Sequence, residues 1–402
     1  MKYRVLALGA LAAVHLPAAD AQEQGDPGFT LTVGAQESYD DNLFRLPDNP
    51  VALDPGIERS DYITRLSLGL VQEWQWSRQT VIVDARANHD DYANNDHLDN
   101  TSGAAGAKWR WQAGSRWAGE FGGDYRKSLA NFANTQFLGR DEVETIGASW
   151  KLAFHLGPQW SLRAAGRHAD TGHSADVRRV DDSSTDSASL GLQFTTSSDN
   201  EFALSYRATE ADFEQSGSLD GQVFDRDFEE RGANFRTHYA FSEKTSLDGN
   251  VGYLKREYAD AGTLVDTRGS FSGLVWDAAL KWDPSIKLRF ELSGWRKLRA
   301  YLDAESDYFI ADGVSIASSW RPTDRLAFKL EAGLEDQDYL GTGVTLPDPR
   351  NDRVLIQELG FSYRMLRKLH FDLKARVEDR DSDRAPLQYD SQVVTAGVRW
   401  SY

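Results

Sequence analysis

The stretch Tyr62-Ile63-Thr64-Arg65-Leu66-Ser67-Leu68-Gly69-Leu70-Val71-Gln72-Glu73-Trp74-Gln75-Trp76 decides the fold. Its even positions carry Tyr62, Leu66, Leu68, Leu70, Trp74 and Trp76, while its odd positions are mostly polar or small. Side chains alternate across a β-strand, so this period of two makes a strand with one apolar and one polar face. The pattern recurs in Trp117, Phe121 and Tyr125, in Ile146, Trp150, Leu152 and Phe154, and in Leu190, Leu192 and Phe194. It continues through Leu204 and Tyr206, Phe235 and Tyr239, Leu288 to Leu292, Leu326 to Leu334, Leu355 to Tyr363 and Phe371 to Val377. No comparable stretch has helical spacing.

The connections show which all-β architecture this is. Short ones fall at Ser77–Gln79, Gln112–Arg116, His155–Gln159, Thr195–Asn200, Ser242–Thr245, Asp283–Ile286, Arg321–Asp324 and Leu366–Leu369. Long ones fall at Asp40–Ser60, Tyr92–Asn100, Lys127–Asp141, Asp170–Thr185, Glu210–Glu230, Glu257–Val265, Ala300–Asp307, Asp336–Asp352 and Asp379–Asp390. Strict alternation of short turns and long loops is the signature of a transmembrane antiparallel β-barrel of the Gram-negative outer membrane, with short turns in the periplasm and long loops outside. Nine long and eight short connections join eighteen strands, with sixteen as the neighbouring even count. Residues 29–402 then supply about 21 residues per strand and connection, which suits tilted strands of about ten residues.

Composition closes off the alternatives. The 402 residues contain no Cys, which excludes disulfide frameworks, zinc-cysteine sites and a cysteine nucleophile. A formal net charge of −17 disfavours nucleic acid, whose phosphates are bound by Lys and Arg. Lys2 and Arg4, the apolar run Val5–Leu16, Pro17 and Ala19-Asp20-Ala21 have the form of a cleaved secretory signal over residues 1–21. Residues 22–28 then form a short periplasmic segment, and 29–402 one barrel domain.

Trp74, Trp76, Trp109, Trp111, Trp117, Trp150, Trp160, Trp276, Trp282, Trp320 and Trp400 lie mostly beside the short turns, as an interfacial aromatic girdle would. The chain ends Val394, Ala396, Val398, Trp400, Tyr402, apolar at every second position and closing on an aromatic residue. That ending resembles the signal read by the barrel assembly machinery, with Val398, Trp400 and Tyr402 as its core.

Chemistry is sparse. There is no Gly-x-Ser-x-Gly elbow, no His-Glu-x-x-His and no phosphate loop, so neither an enzyme nor a cofactor is expected. His168 and His173 read as solvated loop histidines, and acids crowd the Glu210–Glu230 and Asp379–Asp390 loops. These acids keep the loops solvated or meet lipopolysaccharide through divalent cations. By the alternation count Lys108, Arg110, Arg126, Arg163, Arg167, Arg207 and Arg236 face the lumen, where most charges pair across strands but a surplus of cations would favour anionic solutes. Arg163, Arg167, Arg207 and Arg236 are expected to form one basic stripe.

After the first strand comes Tyr39-Asp40-Asp41-Asn42-Leu43-Phe44-Arg45-Leu46. This motif resembles the start of the EpsL-type outer-membrane barrel proteins of exopolysaccharide operons, which accompany exosortase and PEP-CTERM systems. The resemblance implies a channel for polysaccharide synthesis or secretion, with periplasmic export proteins as partners and no catalytic residue. Asp40, Asp41 and Asn42 themselves suit Asx turns. The alternative is a general or anion-preferring diffusion porin in contact with outer-membrane lipid and lipopolysaccharide.

Overall fold

The computed structural model describes residues 28–48, 56–134, 137–215, 217–219, 222–224, 226–259, 270–303, 306–340 and 350–402. The expected signal peptide, residues 1–21, and most of the expected periplasmic segment 22–28 lie outside these residues.

Twenty strands follow in order: β1 Phe29–Asp40, β2 Asp61–Trp76, β3 Gln79–Tyr92, β4 Asn100–Ala113, β5 Trp117–Leu129, β6 Glu142–His155, β7 Trp160–His173, β8 Ser183–Thr195, β9 Glu201–Phe213 and β10 Gly217–Leu219. They continue as β11 Gln222–Phe224, β12 Phe228–Ser242, β13 Thr245–Tyr258, β14 Phe271–Ser285, β15 Leu288–Asp303, β16 Ser306–Thr323, β17 Leu326–Leu340, β18 Asn351–Leu366, β19 Leu369–Ser382 and β20 Tyr389–Ser401. All but β10 and β11 belong to one 18-stranded antiparallel sheet, and those two form a small hairpin in the connection from β9 to β12. The sheet closes where β1 pairs with β20 from Thr32↔Ser401 to Asp40↔Val393. Tyr402 extends this seam, donating from its N–H to Leu31 O at 2.8 Å and accepting from Leu31 N–H at 3.2 Å. Closure leaves no sheet edge for lipid to face.

Register places each row as the alternation requires. Val33 lies opposite Leu68 and Trp400, Trp109 opposite Val81 and Phe121, and Phe235 opposite Leu204 and Val251. These outward rows are exposed, with Leu66 at 55%, Leu190 at 64% and Leu359 at 55%. So large an apolar surface has to be covered, and a bilayer covers it. The girdle residues Trp74, Trp76, Trp117, Trp160, Trp282, Trp320 and Trp400 are exposed on the same face near the short turns. Trp276 lies near the opposite end, while Trp295, outside the expected girdle, points inward and donates from Nε1 to Glu335 at 2.7 Å.

The short connections fall where the sequence puts them, as do Asp40–Ser60 and Tyr92–Asn100; β14 starts only at Phe271, past the expected Val265, and the other long connections are shorter than expected because the strands run past the apolar band. β7 extends to His173, so His168 and His173 lie on a strand and not in a loop. Glu210, Asp212, Glu229 and Glu230 belong to β9 and β12, and the expected Ala300–Asp307 loop is a strand hairpin of β15 and β16. Beyond the hydrocarbon both faces meet water, so the apolar alternation stops although the backbone ladder continues.

A closed barrel should migrate faster on a denaturing gel before boiling than after it, and identical migration would be inconsistent with closure. Deleting Tyr402 removes two backbone hydrogen bonds of the seam along with the terminal aromatic. The heat-modifiable fraction recovered from membranes should therefore fall.

Candidate functional site

At the extracellular end the connections turn inward. Asn42 organises the first of them: its N–H donates to Asp40 Oδ1 at 3.0 Å, making an Asx turn, and its Nδ2 donates to Leu46 O at 2.8 Å and Asp390 O at 2.7 Å. Leu46 N–H returns to Asn42 Oδ1 at 2.9 Å, and Asp41 Oδ1 accepts from Gln392 N–H at 2.7 Å. Arg45, at a positive φ of 57°, reaches back to Asp40 at 2.9 Å. Burial opposes the Arg45 charge, but Asp40 and Glu378 outweigh it and hold its pKa above the ordinary guanidinium value. Tyr39 stays outside, its ring 4.9 Å from that of Tyr62.

This clasp turns Leu43 and Phe44 into the mouth, where Phe44 is 1% exposed. There they pack with Tyr92, Leu98 and Phe132 in one buried cluster, Phe44 meeting Phe132 edge-on at 4.8 Å. Phe132 comes from the β5–β6 connection, which crosses the opening far enough for Ala133 O to accept a 2.5 Å hydrogen bond from Arg380 of β19. Arg380 is itself buried beside Asp352. Nothing in the sequence marks these cross-mouth contacts, because both partners sit in segments without periodicity.

Below the mouth the inward rows line the lumen, and the expected lumen residues Lys108, Arg110, Arg126, Arg163, Arg167, Arg207 and Arg236 all belong to them. They are not equivalent. Arg167 forms a two-point pair with Asp124 at 2.6 and 2.9 Å, and Arg110 shares Glu120 with Lys151 at 2.9 Å each. Gly147 leaves room for the Arg167 fork, since a Cβ there would collide with it. Lys108, Arg126, Arg207 and Arg236, with Arg86 of β3, are solvent-exposed and have no ion-pair partner among the described residues. The four arginines of the expected stripe are inward on β7, β9 and β12, with the charge of Arg167 offset by Asp124.

The opposite wall carries an acidic row. Register aligns Glu291 of β15, through Ala317 of β16, with Glu331 of β17 and Glu358 of β18. Glu358 is paired to Lys374 at 2.7 Å, whereas Glu291 and Glu331 have no ion-pair partner among the described residues. The lumen therefore has a wall on β3 to β12 that carries the exposed cations Arg86, Lys108, Arg126, Arg207 and Arg236, facing a wall on β15 to β18 where this acidic row lies among the inward cations Arg289, Lys297, Arg299 and Lys329. Trp295, Arg299 and Glu335 add an inward network above that acidic row, with Arg299 on Glu335 at 2.9 and 3.1 Å. The alternation count covers Glu335, but nothing local distinguishes it.

Comparison with known proteins agrees with this architecture. Residues 240–402 match the family model described as "Putative beta-barrel porin 2". The structure resembles that of OccK2 (OpdF) of Pseudomonas aeruginosa, with a TM-score of 0.53 at 10% identity over 93% of this chain and 98% of that one. It also resembles OccK2 in complex with glucuronate, with a TM-score of 0.52 at 10% identity and the same coverage of both chains. The chain is a porin-like β-barrel of the Gram-negative outer membrane. No curated protein sequence matches it.

Replacing Phe44 by Ala should destabilise the mouth by about 3–5 kcal/mol, as for other buried aromatics. Planar-bilayer recording should then show a higher single-channel conductance with more flicker, because the β5–β6 connection loses its anchor. Unchanged conductance would mean that this connection does not narrow the path.

Proposed function

We propose that this barrel is a diffusion channel for small anionic solutes, with carboxylates the preferred class. The observation that carries the reading is the row of solvent-exposed, unpaired lumen cations Arg86, Lys108, Arg126, Arg207 and Arg236. Rings or rows of Arg and Lys favour anions in a pore, and a guanidinium offers a carboxylate two parallel hydrogen bonds. Several weak sites in sequence let a solute advance without being held. The Glu291, Glu331 and Glu358 row on the opposite wall adds orientation, since it turns a carboxylate toward the cations of β3 to β12. The match of the carboxy-terminal part to a porin model supports transport, and OccK2, of similar fold, was crystallised with glucuronate, a sugar carboxylate.

The exopolysaccharide reading has less behind it. It rests on the Tyr39–Leu46 motif, whose side chains serve as the clasp of the mouth. A polymer in transit also needs an open bore, whereas the β5–β6 connection reaches across to Arg380.

In a salt gradient across a planar bilayer the protein should show an anion-selective reversal potential. Changing Arg207, Arg236, Lys108 and Arg126 together to Gln should lower the anion-to-cation permeability ratio several-fold. Arg167→Gln should change it less, because Asp124 already offsets that charge. Cation selectivity in the unmodified protein would overturn the reading.

A further inference from the structure

Above the Trp276↔Arg296 pair the ladder between β14 and β15 stops. β14 continues to Phe271 against β13, whereas the rest of β15 pairs only with β16. The β16 segment opposite it is buried on both faces: Tyr308 is 4% exposed, Phe309 4%, Ile310 8% and Ala311 0%. In an ordinary stretch of wall one face would meet lipid, as Val314 at 50% and Ile316 at 53% do lower on the same strand. Tyr308 stacks on Tyr258 at 6.0 Å and meets Phe271 edge-on at 6.2 Å, and both partners belong to the inward rows of β13 and β14. The upper β15–β16 hairpin has stepped inside the barrel. It leaves a split in the wall that is bridged, among the described residues, by the apolar cluster of Phe271, Tyr308 and Ile310 with Val275 and Leu298.

We propose that this split is a lateral passage by which an amphipathic anion, with a small fixed charge and an apolar tail, moves between the lumen and the outer leaflet. An ordinary gap in the ladder would be costly in hydrocarbon, where nothing satisfies the freed backbone groups. This one lies above the outward-facing Arg296–Asp312 ion pair, whose charges place it at the polar boundary of the leaflet. A solute there keeps its head among water and lipid headgroups while its tail passes between apolar lips. Inside, Arg236 of β12 receives the head two strands away from β14. The crossing of the mouth by the β5–β6 connection makes a side route useful to a bulky solute.

The proposal rests on the channel reading, and the test separates the two. The chain has no Cys, so Leu274→Cys with Leu298→Cys gives a unique pair flanking the split, at positions that would face each other if the ladder continued. The purified barrel is reconstituted in phosphatidylcholine–phosphatidylglycerol vesicles, and the entry of octanesulfonate and of glucuronate is measured. Bridging the two thiols with a reducible bis-maleimide should cut octanesulfonate entry several-fold, leave glucuronate unchanged, and be reversed by reduction. A second variant, Tyr308→Ala with Ile310→Ala, should raise octanesulfonate entry several-fold without a matching rise for glucuronate. An octanesulfonate flux that responds to neither variant, or two fluxes that always change in parallel, would overturn the passage while leaving the channel. If neither solute crosses through the unmodified protein, the channel reading fails and the passage with it.

Discussion

Every other property of this molecule depends on the backbone having no partner in a bilayer but itself. Each N–H and C=O in hydrocarbon must be paired within the protein, and a sheet achieves this by joining its last strand to its first. Here that joint is the β1–β20 ladder, prolonged by the exchange between Leu31 and Tyr402. Closure turns the two faces of each strand into two environments, and the period-two pattern is the record of that division. Its carboxy-terminal residue is thus part of the wall as well as a candidate assembly signal.

The same division explains how an acidic protein offers a cationic path. The formal charge of −17 is a property of the whole chain, and much of the excess acid sits in the extracellular connections and strand extensions. Within the lumen, cations differ in what they meet. Arg86, Lys108, Arg126, Arg207 and Arg236 are exposed to solvent, while Arg110, Lys151 and Arg167 are tied to Glu120 and Asp124. An exposed pair such as Arg167–Asp124 adds little stability. Its effect is on the field a solute meets, since a neutralised Arg167 contributes far less to it than a solvated Arg207.

The extracellular end is built on other principles. Above the apolar band water can satisfy backbone groups, so strands lengthen, connections fold inward and the ladder opens between β14 and β15. Stability there comes from small buried clusters and from polar groups with fixed partners, such as Asn42 bridging Leu46 and Asp390. A buried aromatic such as Phe44 links three connections, so the mouth holds together as a unit.

The fold class, strand count, positions of the short turns and inward or outward sense of each lumen arginine were all legible in the residues from Tyr62 onward. Alternation is local, and in a barrel only a few ångströms separate lipid from lumen, so each strand declares its own faces. Strand ends past the apolar band were not legible, because two wetted faces carry no alternation; hence β7 runs on to His173 and the Ala300–Asp307 segment forms a hairpin. Nor could sequence reveal which lumen cation has a partner. Arg167 and Arg207 occupy equivalent inward positions, and only the placement of Asp124 across neighbouring strands distinguishes them. The motif at Tyr39–Leu46 was visible as a candidate turn, but its tie to Asp390 and the meeting of Phe44 with Phe132 join distant connections. Such contacts are set by where loops fall after the ring has closed, which is a property of the tertiary structure alone.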